Sequence, residues 1–277
     1  MLYSSYHVAQ RLSGKIPQGT IFFFFRVLIS LLKKNHYQKL LIFFDGGGTN
    51  FRQSLLPVYK AQRPSMPSEL FEQMEILKEL LTKTNLCCLQ IVDCEADDLI
   101  ASFINQQEFQ KNDSKVFDIF SRDKDLLQLL SPQTSILKYD EKGKIIFYSL
   151  DHFWQEYNFP PDNYVDCLSL IGDQVDNIAG VKGIGPVSAK KLIRQFRTVE
   201  NIYQQLEQLP SNIQKLLVNQ QDLVYRNKQI ISLVKNISLP AEIDQKCNFE
   251  WEKWKDNSDL KDFCESNHFK SILKLLK

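Results

Sequence analysis

Apolar runs that end abruptly in carboxylates recur along this chain, and that pattern narrows its possible folds. Four acidic groups stand out: Asp45; Glu95 with Asp97 and Asp98; Asp123 with Asp125; and Asp173 with Asp176. A single acid behind a strand is usually a turn residue or a helix cap. Asp173 and Asp176 could likewise be a capped loop. Four groups at strand ends are a stronger signal together, because open α/β sheets place their sites beyond the carboxyl ends of the strands.

Hydrophobic periodicity supplies the elements around these acids. It predicts a helix over residues 20–34, a strand at 40–44 ending in Asp45, a helix at 69–82, a strand at 89–92, a helix at 95–105 and a strand at 115–120. Alternating strands and helices argue for an α/β domain with a mostly parallel sheet. From about Tyr164 the pattern is helical, apart from a glycine-rich stretch. A boundary is therefore expected near Pro160-Pro161, giving an α/β domain at 1–161 and a helical domain at 162–277. Residues 21–32 contain a run of phenylalanines but are only twelve long and include Arg26. A bilayer span needs about 20 apolar residues, so a buried helix is expected and no membrane partner.

Composition is that of an ordinary globular protein, with 43% hydrophobic and 24% charged residues and a net charge of +1. That near-neutral total hides short acidic groups set among basic residues. The six cysteines have no CxxC or zinc spacing, which points to reduced thiols and a cytoplasmic setting.

Eight carboxylates converging on one rim would repel one another and be costly to desolvate. Hard divalent cations, Mg²⁺ or Mn²⁺, remove that problem, and two such ions suit in-line displacement at a phosphodiester. Gly180-Val181-Lys182-Gly183-Ile184-Gly185, followed by Lys190, Lys191 and Arg194, has the look of a helix-hairpin-helix. Its alternative is a tight turn between packed helices. Glycines let a backbone approach closely, and the N–H groups of the next helix can meet a phosphate. Between the first two acidic groups lie Phe51-Arg52 and Tyr59-Lys60-Ala61-Gln62-Arg63. In isolation this is a solvated basic patch; beside the acids it suits a phosphate clamp with base stacking.

In this order, the segments FDGGGTNFR, YKAQRPSMP, CEADDLIA, SRDKDLLQLLS and IGDQVDNIAGVKGIGPVSAKKL resemble the flap endonuclease and 5′-3′ exonuclease family. The resemblance covers about residues 2–235. It implies a metal-dependent nuclease acting on DNA with 5′ ends or flaps, as a monomer, with two ions at Asp45, Glu95, Asp97, Asp98, Asp123, Asp125, Asp173 and Asp176. It further implies that Tyr59, Lys60 and Arg63 lie in a helical arch that meets single strands. Arg52, Lys182, Gly183, Gly185, Lys190, Lys191 and Arg194 become DNA contacts, and the hairpin becomes a K⁺ site. Two departures stand against the family pattern. The sequence opens on Met1-Leu2-Tyr3 without the family's apolar strand and metal-binding Asp-Gly, and Ser4 stands in place of an arginine. Two expectations follow: either the sequence is a truncated form whose first strand lies upstream, or one metal site is a carboxylate short, with Asp93 the nearest spare acid. An alternative function is DNA binding with impaired or no cleavage, and a third is RNA cutting, which leaves the duplex-gripping hairpin without a use.

Overall fold

A computed structural model of the chain describes residues 1–12, 18–109, 115–140 and 144–277. Helices α1 (Leu2–Leu12) and α2 (Gly19–Lys34) lead to strand β1 (Leu41–Phe44), then α3 (Phe51–Leu55), α4 (Ser68–Lys83) and β2 (Cys87–Gln90). Helix α5 (Ala96–Phe109) precedes β3 (Phe117–Phe120), a 3-10 turn at Asp125–Leu129, and strands β4 (Thr134–Tyr139) and β5 (Ile145–Tyr148). There follow α6 (Leu150–Tyr157), α7 (Tyr164–Ile171), the short strands β6 (Gly172–Asp173) and β7 (Ile178–Ala179), and α8 (Pro186–Phe196). Helices α9 (Val199–Gln204), α10 (Ser211–Leu217), α11 (Gln221–Ile231), α12 (Ile243–Lys246), α13 (Trp251–Trp254), α14 (Ser258–Ser266) and α15 (Lys270–Leu276) complete the chain.

These elements gather into two compact units, neither of them continuous in sequence. The first is Met1–Asp45, Ser65–Ile91 and Leu239–Lys277; the second is Gly46–Pro64 and Val92–Ser238. This differs from a linear division at Pro160-Pro161. The physical reason lies in the cores. Leu260 and Cys264 of α14, Phe269 just before α15, and Ile272 and Leu276 of α15 share one apolar cluster with Phe25 and Leu28 of α2 and Leu77 and Leu81 of α4. Helices α7 to α11 instead share a core with Ile119 of β3 and Ile136 of β4.

In the first unit, α2 buries Ile21, Phe24, Phe25 and Ile29, as the phenylalanine run requires. The ring of Phe25 stacks on Trp254 at 6.4 Å. The Thr20 amide, one of the N–H groups left over at the start of a helix, donates to the buried Gln73 side chain at 2.9 Å. No helix among the described residues is long and apolar enough to cross a membrane. Strands β1 and β2 pair in parallel, Leu41 opposite Cys87 and Phe44 opposite Gln90. The second strand thus lies two residues before the stretch expected from periodicity.

In the second unit, β3 pairs in parallel with β4, and β4 pairs antiparallel with β5. The sheet is parallel where expected, but β5 runs against it. The sequence carries this pair as two apolar-alternating runs around Asp140, a hairpin pattern outside the strands inferred above. In the core that Ile119 and Ile136 of this sheet join, Leu126, Phe153, Phe159 and Leu170 are fully buried.

Candidate metal and nucleic-acid site

Asp125, Asp173 and Asp176, all in the second unit, each offer a carboxylate oxygen, and these oxygens lie within 4.8 Å of one another. Local geometry explains how the chain brings them there. The 3-10 turn behind β3 opens at Asp125, whose amide donates to the Asp123 carboxylate at 2.9 Å. Helix α7 ends at Gly172, whose φ of +77° turns the chain sharply into Asp173. The Val175 amide then donates to the Asp173 carboxylate at 3.0 Å, closing a loop that returns through Asp176.

Asp173 and Asp176 are only 8% and 5% exposed. Burial, with the charges of Asp123 and Asp173, pushes the Asp125 carboxyl up to about 7. Its Oδ1 is buried and accepts no hydrogen bond. An orphaned carboxylate oxygen among like charges is costly. A hard divalent cation is the ligand that such an all-oxygen donor set fits. Lys124, set between Asp123 and Asp125, offers partial relief, with its ammonium 3.0 Å from Asp173.

Glu95, just before α5, sits in a basic pocket. It accepts from the Lys60 ammonium at 2.8 Å, from the Asn50 amide at 2.8 Å and from the Tyr59 hydroxyl at 3.4 Å. Burial alone would raise its pKa, but the Lys60 and Arg52 charges outweigh burial and hold it below the usual carboxylate range. Arg63 pairs with Asp176. The cations expected to meet phosphate therefore rest on the acids. They do so from successive turns, not from a helical arch: residues 57–62 are non-helical. Pro57, Pro64 and Pro67 account for this, since proline cannot continue a helix and restricts the residue before it. Tyr59 is 5% exposed and belongs to the core, so its ring is not presented for base stacking.

Other expected residues fall elsewhere. Arg52 is not placed to meet DNA. It is 2% exposed, and its guanidinium grips both oxygens of Asp98 at 2.6 and 2.8 Å and donates to the carbonyls of Ile230 and Ser232. Asp98, 3% exposed, also accepts from the Val234 amide at 2.9 Å. Asp98 is thus saturated inside the protein, whereas Asp97 lies half-buried in the first turn of α5 and Asp123 is exposed. Asp45 follows β1 in the first unit, with its carbonyl accepting from Gln90 at 2.7 Å. Asp93, the spare acid, is engaged with the glycine loop: its carboxylate accepts from the Thr49 amide at 2.9 Å. Asn50, Lys124 and Asn177 lay outside the sequence reading. Only Lys124 had a visible signal there, a cation between two acids.

In the glycine-rich stretch, buried Val181 and Ile184 anchor the turn and leave Lys182, Gly183 and Gly185 exposed. Gly183 has φ +91° and lies against Leu216, so a side chain there would be strained. Gly185 differs. It precedes Pro186 at the first position of α8, and a Cβ on it meets nothing within 4 Å. Lys191 is exposed, while Lys190 lies 3.9 Å over the Tyr157 ring and Arg194 donates to the Tyr157 carbonyl at 2.7 Å. Gly185→Val should therefore fold and melt like the wild type, yet weaken duplex binding if DNA backbone approaches here. Equal duplex affinity across a salt series would remove Gly185 from the interface.

Comparison with known proteins agrees with this architecture. Residues 1–158 match the family model for the 5′-3′ exonuclease N-terminal resolvase-like domain, and residues 159–257 that for the 5′-3′ exonuclease C-terminal SAM fold. The chain is 34% identical to the 5′-3′ exonuclease of Mycoplasma genitalium over 197 residues, covering 70% of this chain and 65% of that protein. It is 32% identical to DNA polymerase I of Caldicellulosiruptor bescii over 233 residues, covering 83% of this chain and 26% of that protein. The chain thus spans just under two thirds of the one and about a quarter of the other. In fold it is similar to the T5 D15 protein co-crystallised with metal ions, with a TM-score of 0.66 at 24% identity over 99% of this chain and 96% of that one. The D15 flap endonuclease of bacteriophage T5, in complex with DNA and metal ions, is similar at a TM-score of 0.67 and 24% identity, over 99% and 96% of the two chains. With both halves matched in order and the acid-bearing loops in place, the chain belongs to the 5′-3′ exonuclease family.

Proposed function

We propose that this chain is a divalent-metal-dependent 5′ nuclease that hydrolyses DNA phosphodiester bonds at 5′ ends or flaps. The observation that carries the proposal is the Asp125, Asp173 and Asp176 cluster, with its orphaned oxygen and with Arg63 docked on it. These three acids would hold one ion, Mg²⁺ or Mn²⁺, and Glu95, Asp97 and Asp123 are the acids of the same unit that a second ion would draw on. Bound there, divalent ions supply activation of water and neutralisation of charge at the phosphodiester. Lys60 and Arg63 bring an ammonium and a guanidinium to the same acids, where they can stabilise charge developing on the phosphate. The exposed stretch at Lys182, Gly183 and Gly185, with Lys191, would grip duplex phosphates, a sequence-independent and salt-sensitive contact. K⁺ at this hairpin and a monomeric state complete the proposal.

The test is a 5′-labelled flap substrate incubated with Mg²⁺, with Ca²⁺ or with EDTA, beside a matched RNA. Cleavage of the DNA in Mg²⁺ alone is expected. DNA binding without cleavage would instead establish a non-cleaving relative, and preference for RNA an RNA-cutting one. Lys60→Ala should lower the single-turnover rate at saturating DNA by roughly 10²–10³-fold, the scale of one lost electrostatic stabiliser, with affinity little changed. A loss confined to affinity would make Lys60 a plain phosphate contact.

A further inference from the structure

Two turns of the second unit, residues 58–63 and 173–177, are interlocked. The Asn177 side-chain amide donates to the Val58 carbonyl at 2.9 Å, and the Lys60 amide donates to the Asp176 carbonyl at 3.0 Å. The Gln62 side chain donates to the Gln174 carbonyl, and Arg63 pairs with the Asp176 carboxylate. Both turns have a left-handed residue at the contact, with φ +56° at Lys60 and +60° at Asn177. For lysine that conformation is uncommon and strained, so it persists only where the surroundings over-determine it. Asparagine tolerates it far better.

We infer that Asn177 is a positioning residue for the reaction, acting through Lys60. The bonded carbonyl of Val58 lies two residues before Lys60, and the residue before Asn177 receives the Lys60 amide. The two bonds together hold Lys60 in its left-handed turn. From there its ammonium reaches Glu95 at 2.8 Å. Without the Asn177 amide one of these restraints is gone, and the turn relaxes more readily toward ordinary φ, which swings the ammonium away from the acids. The Val58 carbonyl faces an amide donor that neither Asp nor Gly supplies, so the role is chemically specific. The inference rests on the proposed role of Lys60 in cleavage.

The experiment compares wild type, Asn177→Gly, Asn177→Ala, Lys60→Ala and the Asn177→Gly/Lys60→Ala pair. Asn177→Gly retains access to positive φ and loses only the amide, so it guards against a folding defect, which melting curves will report. Losing one net hydrogen bond of about 0.5–1.5 kcal/mol predicts a single-turnover rate about 2- to 12-fold lower at saturating DNA, with affinity changed less than about twofold. In the Lys60→Ala background the same change should cost less than about twofold, because coupled residues do not add. In the metal-free protein, hydrogen exchange at the Lys60 amide should speed up by a similar factor, a readout independent of cleavage. A wild-type rate for Asn177→Gly, unchanged exchange at Lys60, or losses that multiply in the double variant would each overturn the inference. A full-rate Lys60→Ala would overturn the role of Lys60 and this inference with it; a slow Lys60→Ala with multiplying losses overturns only the latter.

Discussion

Arg52→Ala should destabilise the protein by about 3–5 kcal/mol, the cost of breaking a buried ion pair by removing one partner. The Arg52 side chain is 3% exposed and that of Asp98 4%, and both carboxylate oxygens face the guanidinium. Burial pulls the arginine pKa down, but the Asp98 hydrogen bond and the Asp98 and Glu95 charges overcome it, so the guanidinium stays charged at any working pH. The Ile230 and Ser232 carbonyls lose their donors as well, and these close the end of α11 onto α3 and α5. Around the pair, the Ser102 hydroxyl donates to the Val234 carbonyl and the Asn105 amide to that of Lys235. Asp98, Ser102 and Asn105 share one face of α5 and strap residues 232–237 along it. Arg52→Lys should recover only part of the loss, since an ammonium cannot reproduce the planar fork. Urea denaturation measures this directly. A loss below about 1 kcal/mol, the size of an exposed pair, would show that the clamp is not the buried strut described here.

Asp125→Ala should act in opposite directions on activity and stability. Cleavage should fall by about 10³-fold or more, because one of three convergent carboxylates is gone and the electrostatic stabilisation it anchors goes with it. DNA binding should survive or tighten, as one negative charge leaves the surface proposed to face phosphate. The metal-free protein at pH 8 should melt at a higher temperature. There the wild-type carboxyl, pushed up to about 7 by burial, Asp123 and Asp173, is ionised against its neighbours, with one oxygen unpartnered. Sites of this kind hold function at a cost in stability. Single-turnover cleavage, a binding titration in Ca²⁺ and calorimetry in EDTA separate the three effects. Unchanged cleavage would remove Asp125 from the site. A lower melting temperature would mean that its carboxylate is a structural partner after all.

Both variants bear on what can be known of this protein without coordinates. Periodicity alone located α2, β1, α4, α5 and β3 to within a few residues, because each pairs a regular apolar pattern with a defined end. The acid groups, Lys60, Arg63 and the glycine turn could be singled out by residue type and spacing, and of the acids Asp125, Asp173 and Asp176 come together in the structure. What spacing could not decide is which like-looking residues share a role. Asp97 and Asp98 are adjacent, yet one lies half-buried in the first helical turn and the other is locked to Arg52, because a 100° step around α5 separates their directions. Arg52 and Arg63 look equally fit for phosphate, yet one is buried under the end of α11 and the other, 45% exposed, is docked on Asp176. The return of the chain's last helices to the core of α2 and α4 escaped a linear reading for the same reason, while the two family models meet at residues 158 and 159, close to the expected boundary. Contacts such as Ile272 with the α2 and α4 core, or Val234 with Asp98, join residues far apart in the chain, and only burial reveals that they meet.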